Sequence, residues 1–415
     1  MFGLKKRNFL WSNNIFDYLL LFYLTISIFN FDSFFKKDVI SFSLILYLLF
    51  YYFSNPNKFY KIKNLSYAFI FIIYLFIFQI YFVYIQTNSL ETIFNLKFNK
   101  LLFSISLFSF LILYKKNWSF FFEKLILIVC FFLILIFIQN IILLDKMILT
   151  TNIFFDYQNY NYDWASKNFL ATILNLILIL LNINFVKKKF FYFYFIIISL
   201  GIILTLSRAG YYLYLLNLIY LCLILDNKIV KIISICFFII LSSVFWSDSS
   251  RNFYLEKKIN SVPESVYEIE ADKPTTLFDK NWISGNSKST RASYFFITFD
   301  NLKKNFLFGN GLNSFRNENK IYFDNFTIKR YPDPHSTWLI LLYETGLIGF
   351  LIYIFLILKN KFYLLKEKNF KSKFDFFYFF SIILVASLFI NIITSPIIWF
   401  LYSMRLNLKN EQQTY

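Results

Sequence analysis

The chain has 415 residues, of which 58% are hydrophobic and only 16% are charged, and its mean hydropathy is +0.55. A soluble domain has roughly 45–50% apolar and about 25% charged residues, so the composition excludes an ordinary soluble protein. The net charge of +18 is also compatible with a nucleic-acid partner. However, the positive residues cluster in short stretches between apolar runs, as membrane topology demands. We therefore expect a membrane protein that contacts lipids and no nucleic acid.

Apolar runs recur along the whole chain, and a run of roughly 20 residues is enough to cross about 30 Å of hydrocarbon. The sequence therefore predicts an all-α polytopic membrane protein with about twelve transmembrane helices. The predicted spans lie at about 14–31, 38–54, 65–87, 99–114, 120–144, 168–186, 190–206, 208–226, 229–246, 336–357, 375–391 and 394–408.

The basic residues predict the orientation of these spans. If the N-terminus is cytoplasmic, the cytoplasmic segments hold 22 lysines and arginines, whereas the short outer loops hold only 6. Because basic residues accumulate on the cytoplasmic side of a membrane, this contrast predicts that both termini are cytoplasmic. An even number of spans follows, in agreement with twelve.

The segment 247–335 is the exception, with 13 basic and 11 acidic residues and four of the six prolines. Long loops cross a membrane whatever their charge, and loops of this length are usually functional or disordered. The sequence therefore divides into spans one to nine (1–246), a large extracytoplasmic loop between spans nine and ten (247–335), and spans ten to twelve with a cytoplasmic tail (336–415). Within the loop, apolar residues at helical spacing predict an amphipathic helix over 291–306.

His335 is the only histidine of the chain, and it lies where the large loop meets span ten. Pro332 and Pro334 restrict the backbone just before it. Histidine is the side chain best suited to transfer a proton near neutral pH, so His335 is a candidate general base. The alternative is a surface histidine without a chemical role.

Two arginines and a glutamate complete the candidate site. Arg208 begins span eight, where an arginine is costly unless it is paired, hydrated or reaches the interface. Arg291 opens the amphipathic stretch of the large loop; an exposed arginine without a role is the alternative there. Both suit phosphate, because the planar guanidinium donates two parallel hydrogen bonds. Glu344 lies nine residues after His335, about 13 Å along a helix, and inside the membrane it needs a partner such as Arg208.

Two further expectations come from the glycines of span ten and from the motifs for metal or phosphate binding that the sequence lacks. Gly346 and Gly349 in span ten permit close helix packing. Paired carboxylates, an Asp-rich motif, a cysteine cluster and a Gly-rich phosphate loop are absent from the sequence. We therefore expect chemistry without a metal or cofactor.

These residues resemble the O-antigen ligase and O-antigen polymerase superfamily of bacterial envelopes, over about 165–355. Asn168 matches an asparagine-bearing segment of the family, and Tyr294 the aromatic residue three positions after the loop arginine. The other matching motifs are, in order, Ser207-Arg208, Arg291, Gly309-Asn310-Gly311, His335-Ser336-Thr337-Trp338-Leu339 and Glu344-Thr345-Gly346-Leu347-Ile348-Gly349.

The resemblance implies an inverting, metal-independent glycosyl transfer on the periplasmic face of the bacterial inner membrane. The implied donor is a glycan on undecaprenyl pyrophosphate. The implied acceptor is a hydroxyl of lipid A-core in a ligase, of a second lipid-linked glycan in a polymerase, or of a protein serine in an O-oligosaccharyltransferase. His335 would then be the base, and Arg208 and Arg291 would clamp the pyrophosphate. Asn168, Tyr294 and Glu344 would have supporting roles.

The single dominant outer loop favours a ligase, since polymerases of this superfamily tend to divide their polar sequence between two sizeable loops. A twelve-span transporter or flippase and a non-catalytic assembly partner are the alternatives. Transporters commonly show two related halves with a site at the membrane midplane. Here the polar candidates gather at one face, in the second half of the chain.

Overall fold

The computed structural model describes residues 17–29, 118–142, 165–184, 190–205, 207–224, 305–312, 336–365, 370–389 and 395–413, with single positions or short runs within 43–77, 101–111, 231–243, 295–302 and 314–315. Arg291, Tyr294 and His335 lie outside the described residues. Arg208 is described only as part of a helix, without its side chain.

Every regular element among the described residues is a helix. They are α1 Asp17–Phe29, α2 Trp118–Ile142, α3 Ala165–Asn184, α4 Phe191–Leu204, α5 Arg208–Ile224, α6 Thr337–Leu365, α7 Phe370–Phe389 and α8 Pro396–Gln413. These helices fall on predicted spans one, five to eight and ten to twelve. The few described positions within spans two, three, four and nine are helical as well.

Two of these helices have a segment long and apolar enough to cross a membrane. The segments are Trp118–Ile138, with a mean hydropathy of 2.8, and Thr337–Leu356, with 2.2. Shorter apolar segments occur in α1, α3, α4, α5 and α7. The all-helical prediction is confirmed in the described part of the chain. The count of twelve spans and the cytoplasmic position of both termini stay predictions.

Helix α3 is the centre of the bundle. Residues 170–182 are all buried, and α3 packs against α4, α5, α7 and α8. A helix that is apolar on all sides has to be surrounded by other helices. Because this part of α3 is enclosed, the polar side chains within 170–182 face other helices instead of solvent.

The pairing of α5 with α7 defines the two ends of the bundle. The Tyr220 hydroxyl donates a hydrogen bond to Asp375 at 2.5 Å, near the end of α5 and the start of α7. Ser387 follows Asp375 by twelve residues, which is about 18 Å of helix. Ser207 precedes Tyr220 by thirteen residues, which is about 20 Å of helix. Ser387 therefore lies level with Ser207, at what we call the upper end; Asp375 marks the lower end.

Helix α6 also begins at the upper end. The Ser336 hydroxyl donates to the Ser387 carbonyl at 3.5 Å, and the indole N–H of Trp338 donates to the Ser387 hydroxyl. The start of α6 and the start of α5 are therefore level with each other. In the predicted orientation, the upper end is the periplasmic one.

Helix α8 occupies the lower part of the bundle. Its Phe400 packs against Trp118 and Phe121, at the start of α2, with ring centroids 6.2 and 5.8 Å apart. A Cβ added at Gly201, near the upper end of α4, would meet the Leu133 side chain at 3.1 Å, so the start of α2 is at the lower end. Helix α8 runs from 396 to 413 and continues beyond the predicted span twelve, 394–408; the edges of that span stay a prediction.

Candidate functional site

The start of α5 is fixed by a capping bond. Ser207 precedes Arg208, and its hydroxyl oxygen accepts a hydrogen bond from the Gly210 N–H at 3.0 Å. Serine is a preferred N-cap residue because it satisfies one of the free N–H groups of the first turn. The same hydroxyl donates to Asn168 Oδ1 of α3 at 2.5 Å. The backbone of Arg208 is therefore held at the upper end by its own helix cap and by α3.

Immediately below this cap, α3 and α5 are in close contact. Asn175 Nδ2 donates to the carbonyls of Ala171, at 2.8 Å, and of Gly210, at 3.1 Å. A Cβ added at Gly210 would lie 2.5 Å from the Ala171 Cβ, a distance that real Cβ atoms essentially never show. Small residues allow membrane helices to approach closely enough for such hydrogen bonds.

The polar contacts continue towards the lower end. Asn217 Nδ2 donates to Asn175 Oδ1 at 2.8 Å, and the Tyr378 hydroxyl donates to Asn217 Oδ1 at 3.3 Å. The ring of Tyr378 stacks on that of Tyr220, with centroids 4.2 Å apart. We call Asn168, Ser207, Asn175, Asn217 and Tyr378 the polar seam. Because buried amides need partners at defined positions, the seam fixes the register of α5 against α3 and α7.

The second constellation lies at a break in α6. Gly346 has φ 64° and ψ −169°, which interrupts the helix. In an unbroken helix, Leu347 and Ile348 would donate their N–H groups to the carbonyls of Tyr343 and Glu344. They donate instead to carbonyls of the large loop, from Leu347 to Phe306 at 3.0 Å and from Ile348 to Leu307 at 3.1 Å.

The loop returns two hydrogen bonds to the broken helix. Asn310 N–H donates to the Tyr343 carbonyl and Gly311 N–H donates to the Glu344 carbonyl, both at 2.9 Å. The four bonds replace those that the break removes, so that these buried backbone groups keep partners. We call residues 305–311 the clasp.

Glycine is required on both sides of this contact. Gly309 has φ 74° and Gly346 has φ 64°, in the left-handed region that favours glycine. A Cβ at Gly309 would lie 2.6 Å from the Glu344 carbonyl carbon, and a Cβ at Gly346 would lie 2.5 Å from Gly309 N. Gly346 was expected to permit close helix packing, whereas its close contact is with the backbone of a loop. Gly349 does face another predicted span, since a Cβ there would lie 2.9 Å from the Tyr74 ring.

Side chains hold the clasp in its conformation. Asn305 Nδ2 donates to Asn310 Oδ1 at 2.9 Å, and Asn310 Nδ2 donates to the Tyr343 carbonyl at 3.3 Å. The Tyr74 hydroxyl donates to the Thr345 carbonyl, next to the break, at 2.8 Å. The clasp is therefore bound to α6 through main chain and side chain.

The predicted site residues fall into three groups. Asn168 lies in the polar seam beside Ser207. Glu344 is 1% exposed and lies at the clasp; its position inside the membrane and its pairing with Arg208 stay predictions. Arg291, Tyr294 and His335 lie outside the described residues, although Ser336, the next residue after His335, is at the upper end. Within the described ranges no group of His, Cys, Asp or Glu could hold a metal ion.

The sequence reasoning missed the polar seam, although a signal for it exists. Asn168, Asn175 and Asn182 are spaced by seven residues in α3, which places them on one helix face. Gly210 and Asn217 repeat the same spacing in α5. Amides in register on two neighbouring apolar helices indicate a polar contact between those helices.

A bundle of apolar helices, with an interhelical polar seam and a helix broken by a loop, is the architecture of a membrane-embedded protein. Residues 193–354 match the family model described as O-antigen ligase, which supports the resemblance to the O-antigen ligase superfamily. The matched residues include Arg208, Arg291, Tyr294, His335 and Glu344, whereas Asn168 precedes them. The family consists of membrane proteins of bacteria that resemble glycan ligases or polymerases. No curated protein matches the chain.

Proposed function

We propose that the protein is an O-antigen ligase-like glycosyltransferase that moves a glycan from undecaprenyl pyrophosphate to a sugar hydroxyl of lipid A-core. The reaction would take place at the periplasmic face of the bacterial inner membrane. The observation that carries the proposal is the family match over 193–354, because it contains Arg208, Arg291 and His335 in one segment. The same segment contains the start of α5 and the clasp.

The proposed reaction is a single displacement at the anomeric carbon of the donor. The acceptor oxygen forms a bond to that carbon while His335 takes the hydroxyl proton. The bond between the anomeric carbon and the pyrophosphate oxygen breaks, and undecaprenyl pyrophosphate leaves with the electron pair. Attack opposite to the leaving group inverts the anomeric configuration. Arg208 and Arg291 would stabilise the negative charge that develops on the pyrophosphate, and the scheme assigns no role to a metal or cofactor.

The described residues support a common location for these groups. Arg208 is the first residue of α5, whose N-terminal end also favours a negative charge. Helix α6 starts two residues after His335, and its start is level with that of α5 through Ser336 and Ser387. The clasp ties the loop that carries Arg291 to α6. We infer that Asn168 acts by holding Ser207, that Glu344 acts beside the clasp, and that Tyr294 lies near the substrate.

Transfer by the purified protein in lipid vesicles tests the proposal. The donor is an undecaprenyl-pyrophosphate glycan, lipid A-core is offered as acceptor, and His335→Ala and His335→Gln are assayed beside the wild type. We expect glycosylated lipid A-core from the wild type and none from either variant, because neither replacement accepts the proton. Normal transfer by His335→Gln would contradict the assignment of the base.

The products distinguish the related activities. Longer lipid-linked glycans as the product would identify the protein as a polymerase with the same site instead of a ligase. Glycan on an added acceptor protein would indicate an O-oligosaccharyltransferase. If the wild type forms none of these products, the proposed activity is wrong, and transport of the donor across the vesicle becomes the reaction to measure.

A second prediction concerns the arginine of the large loop. We expect Arg291→Lys to lower transfer by at least about tenfold, because lysine keeps the charge but loses the two parallel hydrogen bonds. Arg330→Lys, in the same loop, is the matched control and is expected to transfer normally. Equal activities of the two variants would refute the pyrophosphate clamp.

A further inference from the structure

The clasp presents apolar side chains outwards. Phe306, Leu307 and Phe308 are 52%, 51% and 46% exposed, whereas Gly309, Asn310 and Gly311 behind them are buried. Three consecutive large apolar side chains on the outside of a loop are unfavourable in water. Their surroundings therefore depend on how deep the clasp lies relative to the membrane.

The position of the break along α6 indicates how deep the clasp lies in the membrane. Gly346 is thirteen residues before Lys359, which is about 20 Å of helix. Lys359 is the first basic residue after the apolar segment Thr337–Leu356. A span needs roughly 20 residues to cross about 30 Å, so the hydrocarbon layer must extend well above Gly346. The carbonyls of Phe306 and Leu307, bonded just below the break, lie within that layer.

Helix α6 also has exposed apolar side chains below the break. Leu351 and Phe355, five and nine residues after Gly346, are 43% and 49% exposed on the same helix. A backbone that leaves the helical form inside a membrane has to find partners in the protein. The clasp meets this condition, because its backbone groups at 306, 307, 310 and 311 bond to α6 and Gly309 N–H bonds to the Asn305 carbonyl at 2.8 Å.

We propose that the clasp is a re-entrant segment, in which the large loop dips into the membrane beside α6 and places Phe306, Leu307 and Phe308 against the acyl chains of the bilayer. The large loop is then anchored in the membrane at its second half, and only its other parts extend into water. This inference needs the membrane location of α6 but not the proposed glycan transfer.

Fluorescence quenching in lipid vesicles without donor tests this placement. Cys130, Cys222 and Cys236 are replaced by alanine in the full-length protein, and a single cysteine at position 307 carries an environment-sensitive fluorophore. Positions 306 and 308 are labelled in separate variants, and only variants with the wild-type gel-filtration profile are compared. Leu351→Cys is the control for a lipid-facing position, and Ser265→Cys, in the acidic part of the loop, is the control for water.

We expect the probe at 307 to be quenched by lipids that carry a nitroxide on the acyl chain, as at 351, and not by aqueous iodide. Quenching by iodide as at 265 would overturn the proposal. Protection from both quenchers would also overturn it, since the side chains would then be covered by protein. Donor is then added in a second measurement. Iodide access that is present without donor and lost with donor would also overturn the proposal, and would assign the surface to the polyprenyl chain of the donor instead of the bilayer.

Discussion

The polar seam and the clasp hold neighbouring segments together by different means. In the seam, asparagine side chains link α3 to α5, and the close approach is between Gly210 and the Ala171 methyl group. In the clasp, backbone groups of a loop replace backbone groups of a broken helix, and the close approach is between Gly309 and the backbone at 344–346. A side-chain contact can be altered by exchanging side chains, whereas a backbone contact cannot. The two regions should therefore differ in which substitutions can be compensated.

The largest effect is expected in the clasp. Gly309→Ala and Gly346→Ala each add a Cβ against backbone atoms at a positive φ, a conformation that by itself costs about 1–2 kcal/mol per residue. We expect the clasp to detach, and transfer to fall by about 100-fold because the loop carrying Arg291 is displaced from His335. Thermal unfolding in detergent and the transfer assay measure the two effects.

Gly201→Ala is the matched control for these variants. Gly201 lies within α4, and a Cβ there would meet only the Leu133 and Leu174 side chains, at 3.1 and 3.2 Å. We expect nearly normal transfer from this variant. If Gly309→Ala and Gly346→Ala transfer as well as Gly201→Ala, the clasp does not position the loop.

An intermediate effect is expected at Gly210. Gly210→Ala brings a methyl group against Ala171, and overpacking of this kind costs about 1–3 kcal/mol. The double variant Gly210→Ala with Ala171→Gly returns the space to the contact and should recover most of the thermal stability. No single side-chain exchange is expected to restore Gly309→Ala. A double variant as unstable as Gly210→Ala would show that the close approach of α3 and α5 has another cause.

The smallest effect is expected from the amides of the seam. Asn175→Leu removes hydrogen bonds to Gly210 and Asn217, and interhelical hydrogen bonds in membranes contribute about 0.6–2 kcal/mol each. Asn182→Leu is the comparison, because the Asn182 amide is buried in the same helix and has no hydrogen-bond partner in the described part of the chain. The melting temperature should fall more for Asn175→Leu, and equal losses would argue against a register role.

The sequence predicted some of this architecture and not the rest, for physical reasons. The spans at α2 and α6 follow from hydropathy, since a long apolar run has few alternatives to a membrane helix. The Gly309-Asn310-Gly311 turn was visible because glycine marks a positive φ. The partner of this turn was not visible, because the exchange uses backbone groups 33 and 41 residues apart in the chain, and backbone groups leave no side-chain pattern. The seam was missed because single asparagines in apolar helices were not compared between helices.

The predicted site residues also divide into those that the local sequence pattern identifies and those that depend on how the helices pack. Ser207-Arg208 at the start of a span and Glu344 inside one could be read from local pattern and burial. The hydrogen bond from the Ser207 hydroxyl to Asn168 depends on how α3 packs against α5, which local pattern does not contain. The association of Arg208 with Arg291 and His335 depends on the whole bundle, and it is the central claim of the proposed site.

Paired-cysteine cross-linking tests that claim most directly, because it needs no substrate. With the three native cysteines replaced by alanine, cysteine pairs at 208 and 335 and at 291 and 335 are treated with a short thiol-specific cross-linker in native membranes. The control pair joins 335 to Phe370→Cys, at the lower end of α7. We predict that both site pairs cross-link and that the control pair does not. Failure of the 208 and 335 pair, with both cysteines shown to be reactive, would contradict a common site for the arginines and the histidine.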